Sequence, residues 1–269
     1  MSEKTPKKWD AVSETLLLPL YARAVESQRP DPLLKDDKAV EIVWKMEYDF
    51  GRMKLSDGDN VAMILRLREF DRLVREFLKC YPEAAVVHIG CGLDTRFERV
   101  DNQQVEWYDL DLPEVIDLRK RLIGGEKARY HLLSNSVFEE AWLETLQIQA
   151  QRPFLFLAEA VLLYFEEVRV KTLVLTLQSR FPGAELVCDA HTPFAIWTDN
   201  LQFAMGGLRA RVHWGLKHAK DLESWCAGIA LLEEWYYFDK PEPRLGAMQW
   251  MRHFPLLGKS AGIFHYRLG

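Results

Sequence analysis

Two glycines, two acids and one later carboxylate are the residues of this chain whose spacing suggests chemistry. Gly90-Cys91-Gly92 follows a short apolar run, Ala84 to Ile89, and Asp109 and Asp111 stand nineteen and twenty-one residues after Gly90. Glycines at a strand end let the backbone turn tightly and approach a ligand with no Cβ in the way. Carboxylates at that distance, closing the next strand, are placed to accept ribose hydroxyls. The spacing suits a nucleoside cofactor, although a lone GxG also occurs as an ordinary strand-to-helix turn.

A dinucleotide fingerprint would carry a third glycine, so that the next helix could lie over a pyrophosphate. Here that position is Thr95, followed by Arg96 and the bulky Phe97. S-adenosylmethionine, which has a ribose and an adenine but no phosphate, therefore fits better. A nicotinamide-dependent oxidoreductase shares the order of strand, GxG, strand and Asp, and stays the alternative. Further on, Phe154 to Ala158 is continuously apolar, as in a central parallel strand, and runs straight into Glu159. A carboxylate there sits at the carboxyl edge of the sheet, where open α/β folds bind ligands, and a sulfonium or ammonium nearby would keep it ionised. The strand Glu185 to Cys188 exits into Asp189-Ala190-His191, which brings His191 near the site mouth as a candidate base for Asp189 to orient.

The residues say more than their spacing. Gly90-Cys91-Gly92-Leu93-Asp94-Thr95-Arg96-Phe97, with Trp107-Tyr108-Asp109-Leu110-Asp111-Leu112-Pro113-Glu114-Val115, resembles the leucine carboxyl methyltransferase family. That family includes O-methyltransferases of polyketide pathways. Glu159 to Phe165 resembles its A-E-x-V-L-x-Y segment, and the run from Arg23 to Asp37 resembles its N-terminal helical lid. The resemblance implies a class I, Rossmann-like α/β methyltransferase using S-adenosylmethionine. It assigns Arg66, ahead of Arg68, to the methionine carboxylate, a bidentate task that suits a guanidinium, and brings Arg23 toward the same group. In the relatives the loop after the third strand supplies an Asp to the adenine amino group. This chain has Ser134-Asn135-Ser136 there, so Ser136 and the backbone of Val137 stand in. The expected cofactor set is thus Arg23, Arg66, Gly90, Asp109, Asp111, Ser136, Val137 and Glu159.

Elements must hold these groups in place. Ser13 to Glu26 has helical spacing, with Ser13 as its cap, and Arg29-Pro30-Asp31-Pro32 breaks it before Asp36 or Asp37 starts another helix. Val61 to Leu78 is the longest apolar-periodic helix. Pro113 to Leu122 and Glu166 to Phe181 are helices, and Val105 to Tyr108 and Tyr130 to Leu133 are strands. The aromatic, basic stretch Phe194 to Lys220 reads as an insertion walling the acceptor, with Gly206-Gly207 lending mobility. A helix over Glu223 to Leu232, a strand over Trp235 to Phe238 and an antiparallel edge strand over Gly262 to Leu268 close the chain. Residues 1–80 are expected to form a lid belonging to one methyltransferase domain, 81–269, with its insertion at about 194–225.

Composition bounds the partners. At 269 residues and 48% hydrophobic content, a sizeable core is assured, and the net charge of −5 with no basic block argues against nucleic acid. No long apolar segment suggests a membrane span, the lysine-rich start is not a signal peptide, and four scattered cysteines read as free thiols in a cytoplasmic protein. The expected partner is a small polyketide-like molecule bearing a carboxylate or phenol. A carboxylate needs no base, whereas a phenol, with a pKa of about 10, would benefit from one, His191 or His213. A protein C-terminal carboxylate as acceptor and a cofactor-binding protein without turnover are the remaining alternatives.

Overall fold

Strand register decides where the site can be. The computed structural model describes residues 11–46, 48–53, 56–205 and 210–269; side chains are described from Leu16 onward, Arg52 excepted. The apolar runs form strands β1 (Ala85–Ile89), β2 (Glu106–Asp111), β3 (Tyr130–Ser134), β4 (Phe154–Ala158), β5 (Ala184–His191), β6 (Ile229–Tyr236) and β7 (Ala261–Leu268). They make one sheet in the order β3-β2-β1-β4-β5-β7-β6, with only β7 running against its neighbours. The order reverses direction between β1 and β4, the place where open α/β sheets leave a ligand crevice. Ile89 pairs with Leu110 on one side and Ala158 on the other, Asp111 pairs with Ser134, and Ala158 pairs with Cys188. One edge therefore carries Gly90, Asp111, Asn135, Glu159 and Asp189 side by side.

Helices α1 (Ala11–Ser27), α2 (Asp37–Lys45), α3 (Asp57–Cys80), α4 (Arg96–Val100), α5 (Pro113–Leu122), α6 (Ala141–Gln147), α7 (Glu167–Arg180), α8 (Pro193–Met205) and α9 (Pro255–Gly258) flank this sheet. Alternate strand residues feed two cores. Val86, Trp107, Leu155 and Leu157 meet Phe70, Val74 and Phe77 of α3. Val87, Ile89 and Phe156 meet Trp142 of α6 and Leu173 and Leu177 of α7. Leu17 and Leu20 of α1 and Ile42 of α2 pack on Leu93 and Leu118, which seats the first two helices over the glycine turn. Asp36 caps α2, its carboxylate accepting from the Ala39 N–H at 2.9 Å.

Some local expectations are corrected. Helix α1 begins at Ala11, so Ser13 lies inside it and does not start it. No helix runs over 223–232: a 3₁₀ helix over Ala219–Ser224 ends at the start of that stretch, and the chain becomes β6 at Ile229. Gly228, at φ 94°, breaks the helix, and pairing of β6 with β7 at seven positions outweighs local helical preference. Strand β7 is antiparallel as expected, but it lies between β5 and β6 and not at the edge. Over the stretch expected as an insertion, the described residues form α8, a loop over 210–218 and the 3₁₀ helix at Ala219–Ser224. Met1 to Asp10 and the Gly206-Gly207 pair lie outside the described residues.

Candidate cofactor and acceptor site

Two adjoining cavities occupy the crevice, sharing Leu16, Gly90, Ala160 and Tyr164 in their walls. The smaller, about 100 Å³, is the charged end, walled by Arg23, Arg66, His88 and Glu159. The larger, about 540 Å³, lies over Asp111, Asn135, Ser136, Val137, Phe138 and Phe165 and is roofed by Arg211 and His213. A polar, charged end opening into a mostly apolar chamber is the usual form of a small-molecule site.

Gly90 makes the floor. Its φ is +63°, and a Cβ there would stand 2.2 Å from Cγ2 of Val161, so only glycine fits. The neighbouring Ala160 also has a positive φ, +53°, unusual for a residue with a Cβ. Asp111 lies at the rim, accepting from the Gly92 N–H and its own neighbour's, Leu112, both at 2.8 Å. Burial raises its carboxyl pKa above the ordinary value. It retains acceptor capacity for a vicinal diol.

At the charged end, Arg66 Nε donates to Glu159 Oε1 at 2.9 Å and Arg96 Nη2 donates to Glu159 Oε2 at 2.6 Å. Arg66 also faces Asp189 at 3.7 Å. Arg23 is 1% exposed, donates to Asp36 at 2.8 Å and the Leu93 carbonyl at 2.7 Å, and lines the same cavity. A guanidinium beside a carboxylate is the arrangement that receives an amino acid zwitterion, one charge each.

The two acids closing β2 separate. Asp111 lines the large cavity, while Asp109 lines neither: it is 2% exposed and accepts from Tyr130 Oη at 2.6 Å, Trp107 Nε1 at 2.8 Å and the Arg119 guanidinium. Arg119 in turn donates to the carbonyls of Gly92 and Asp94 at 2.7 and 2.8 Å, stapling the glycine loop from below. Ser136 and Val137 do line the chamber, with Asn135 beside them. His191 lines neither cavity, and its partner is Asp199 of α8 at 2.6 Å; Asp189 turns away beneath Ala160. His213 is the histidine in the chamber wall, its Nδ1 3.0 Å from Glu166.

Several site groups escaped the sequence reading. Leu16 carries no signature that sets it apart from core residues, and Tyr164 and Phe165 stand in the sequence only as the end of the Glu159 to Phe165 segment, with nothing to mark them as cavity walls. The ion network of Asp71, Asp94, Arg96 and Arg99 under Glu159 did leave a trace. Asp71 falls in the apolar stripe Leu67, Asp71, Val74, Leu78, which forces a carboxylate inward and demands a cation for it. That cation is Arg96, one of the residues that replaces the small helix start of a dinucleotide site. His88, inside an apolar strand, has no sequence signal of its own; burial holds its pKa well below the usual histidine value, so it sits neutral behind the charged end.

The residues present fit S-adenosylmethionine: a glycine floor that a Cβ would fill, an acid at ribose reach, and a paired guanidinium and carboxylate at the far end. Sheet order and crevice together define an S-adenosylmethionine-dependent methyltransferase of the Rossmann-like α/β class. The fold is shared with a DUF574-family protein from Streptomyces avermitilis, at a TM-score of 0.61 and 13% identity, covering 96% of this chain and all of that one. The family model of leucine carboxyl methyltransferases matches residues 17–178. Among relatives, the tetracenomycin polyketide synthesis O-methyltransferase TcmP of Streptomyces glaucescens is 34% identical over 231 residues, 86% of this chain and 84% of that protein. An S-adenosyl-L-methionine-dependent methyltransferase of Gibberella zeae, dpfgK, is 27% identical over 262 residues, 90% of this chain and 88% of its own. The chain belongs to the leucine carboxyl methyltransferase family. The nicotinamide alternative finds no support among these relatives.

Proposed function

We propose that this methyltransferase transfers its methyl group to a carboxylate or phenolic oxygen of a small, flat, polyketide-like molecule. The observation that carries the reading is the meeting, on one sheet edge, of the Gly90 floor, the Asp111 carboxylate and the Arg66–Glu159 pair around one pair of cavities. The relationship to TcmP supports an oxygen acceptor of polyketide type. S-adenosylmethionine supplies a methyl group already activated by its sulfonium, so the protein's task is orientation and exclusion of water. In this reading Asp111 takes the ribose hydroxyls, Arg66 and Arg23 face the methionine carboxylate and Glu159 its ammonium. Asn135, Ser136 and Val137 border the adenine. Helices α1 and α2 act as the lid, with Leu16 pressed on the shared wall of the two cavities. Arg211 gives the chamber roof a positive charge suited to an acidic acceptor. His213, oriented by Glu166, is the better-placed proton acceptor for a phenol, and His191 is left a supporting role against α8.

The test is a methyl-transfer assay with hydroxylated polycyclic aromatic acids, read by mass spectrometry of the products. Transfer to oxygen of at least one such compound is expected. Methylation restricted to a peptide C-terminus would overturn the acceptor class.

A further inference from the structure

Resting on the reading above, we infer that Asp189, which touches neither cavity, is a positioning residue: its carboxylate holds the left-handed turn at Ala160 from which the charged end and the glycine floor are both built. Asp189 is 0% exposed at the carboxyl end of β5. Its Oδ1 accepts from the Ala160 N–H at 2.8 Å, while Oδ2 is buried without a hydrogen-bond partner among the described residues. The charge of that second oxygen is balanced by Arg66, whose guanidinium lies 3.7 Å away, so the carboxylate joins the Ala160 amide to the charged end of the site.

What Asp189 fixes is more than one bond. Ala160 sits at φ +53°, where an alanine is disfavoured, and among the described residues Asp189 alone bonds its N–H. On one side of it Glu159 reaches Arg66 and Arg96 at 2.9 and 2.6 Å. On the other, Val161 presses on Gly90 so closely that a Cβ there would meet it at 2.2 Å. If the anchor is lost, alanine relaxes toward negative φ, and Glu159 and Val161 rotate together. The free oxygen faces Arg66 at 3.7 Å, so the same carboxylate bounds how far that guanidinium can swing.

The experiment is calorimetric titration of S-adenosylhomocysteine into wild type, Asp189→Asn, Asp189→Leu and the double variant Asp189→Leu/Ala160→Gly, each shown folded by near-ultraviolet circular dichroism at the titration temperature. Asparagine keeps an acceptor for the Ala160 N–H. Glycine adopts positive φ without an anchor. Expected are at least a tenfold loss of affinity in Asp189→Leu, a much smaller loss in Asp189→Asn, and recovery of most of it in the double variant. Undiminished affinity in Asp189→Leu, or no recovery on adding Ala160→Gly, would overturn the inference. Should Asp189→Leu not fold, hydrogen exchange of wild type decides: strong protection of the Ala160 amide is expected, and exchange at the rate of an open loop would contradict it. Failure of wild type to bind S-adenosylhomocysteine would instead strike at the cofactor reading, leaving the exchange result to judge the anchor.

Discussion

Replacing Asp109 and Asp111 separately by alanine should give opposite phenotypes, although the two acids are only two residues apart and share one motif. Asp109 accepts three buried donors, and its main partner, Arg119, is itself 1% exposed. Removing one member of a buried ion pair strands the other, at about 3–5 kcal/mol. Asp111 is half-buried and accepts from two backbone amides with no charged partner to strand, so its loss should destabilise by only about 1 kcal/mol. A carboxylate accepting ligand hydroxyls contributes about 1.5–3 kcal/mol, roughly 10- to 100-fold in affinity. Urea unfolding followed by tryptophan fluorescence, paired with S-adenosylhomocysteine titration of the folded protein, measures both. Asp109→Ala should show the large stability loss, and Asp111→Ala the larger affinity loss. The reasoning fails if Asp109→Ala unfolds as wild type does, or if Asp111→Ala retains full affinity.

Three other substitutions probe separate parts of the account. Gly90→Ala forces a Cβ against Val161 at positive φ, and together these should destabilise by about 2–5 kcal/mol and abolish cofactor binding; a melting curve and a titration check both. His88 is held neutral in the fold, so acid favours the unfolded chain, which takes up the proton below pH about 6.5. Its contribution is intact above that pH and lost as pH falls toward the depressed folded value, by up to about 1.4 kcal/mol per unit. His88→Gln should flatten the dependence of melting temperature on pH between 6.5 and 5.5, as differential scanning calorimetry would show. His191→Ala should leave S-adenosylhomocysteine affinity within about 0.5 kcal/mol of wild type, since the ring lines neither cavity.

The sheet was legible because its strands are short, apolar and separated by glycine and proline signals, and register then brings the candidate site residues to one edge. Gly90, Asp111 and Glu159 follow from that logic alone. Asp109 could not be told from Asp111 by spacing, because its inward orientation depends on Arg119 arriving from α5 and Tyr130 from β3, contacts that no local pattern encodes. The 223–232 stretch misled for a similar reason: leucines and glutamates favour a helix locally, and only the facing β7 turns part of it into a strand. His191 sits where the chain order puts it, but its side chain answers to Asp199 on α8, across the turn after β5. Asp189 was visible only as that histidine's neighbour. Its bond to Ala160 joins two strand ends brought level by the pairing of β4 with β5.

The most direct test of the central claim is calorimetric titration of the purified protein with S-adenosylhomocysteine, with NADH titrated in parallel. One site per chain, with a dissociation constant on the order of micromolar and no heat from NADH, is the predicted result. A folded protein that ignores S-adenosylhomocysteine would contradict the assignment of the crevice, and binding of NADH in its place would revive the oxidoreductase alternative.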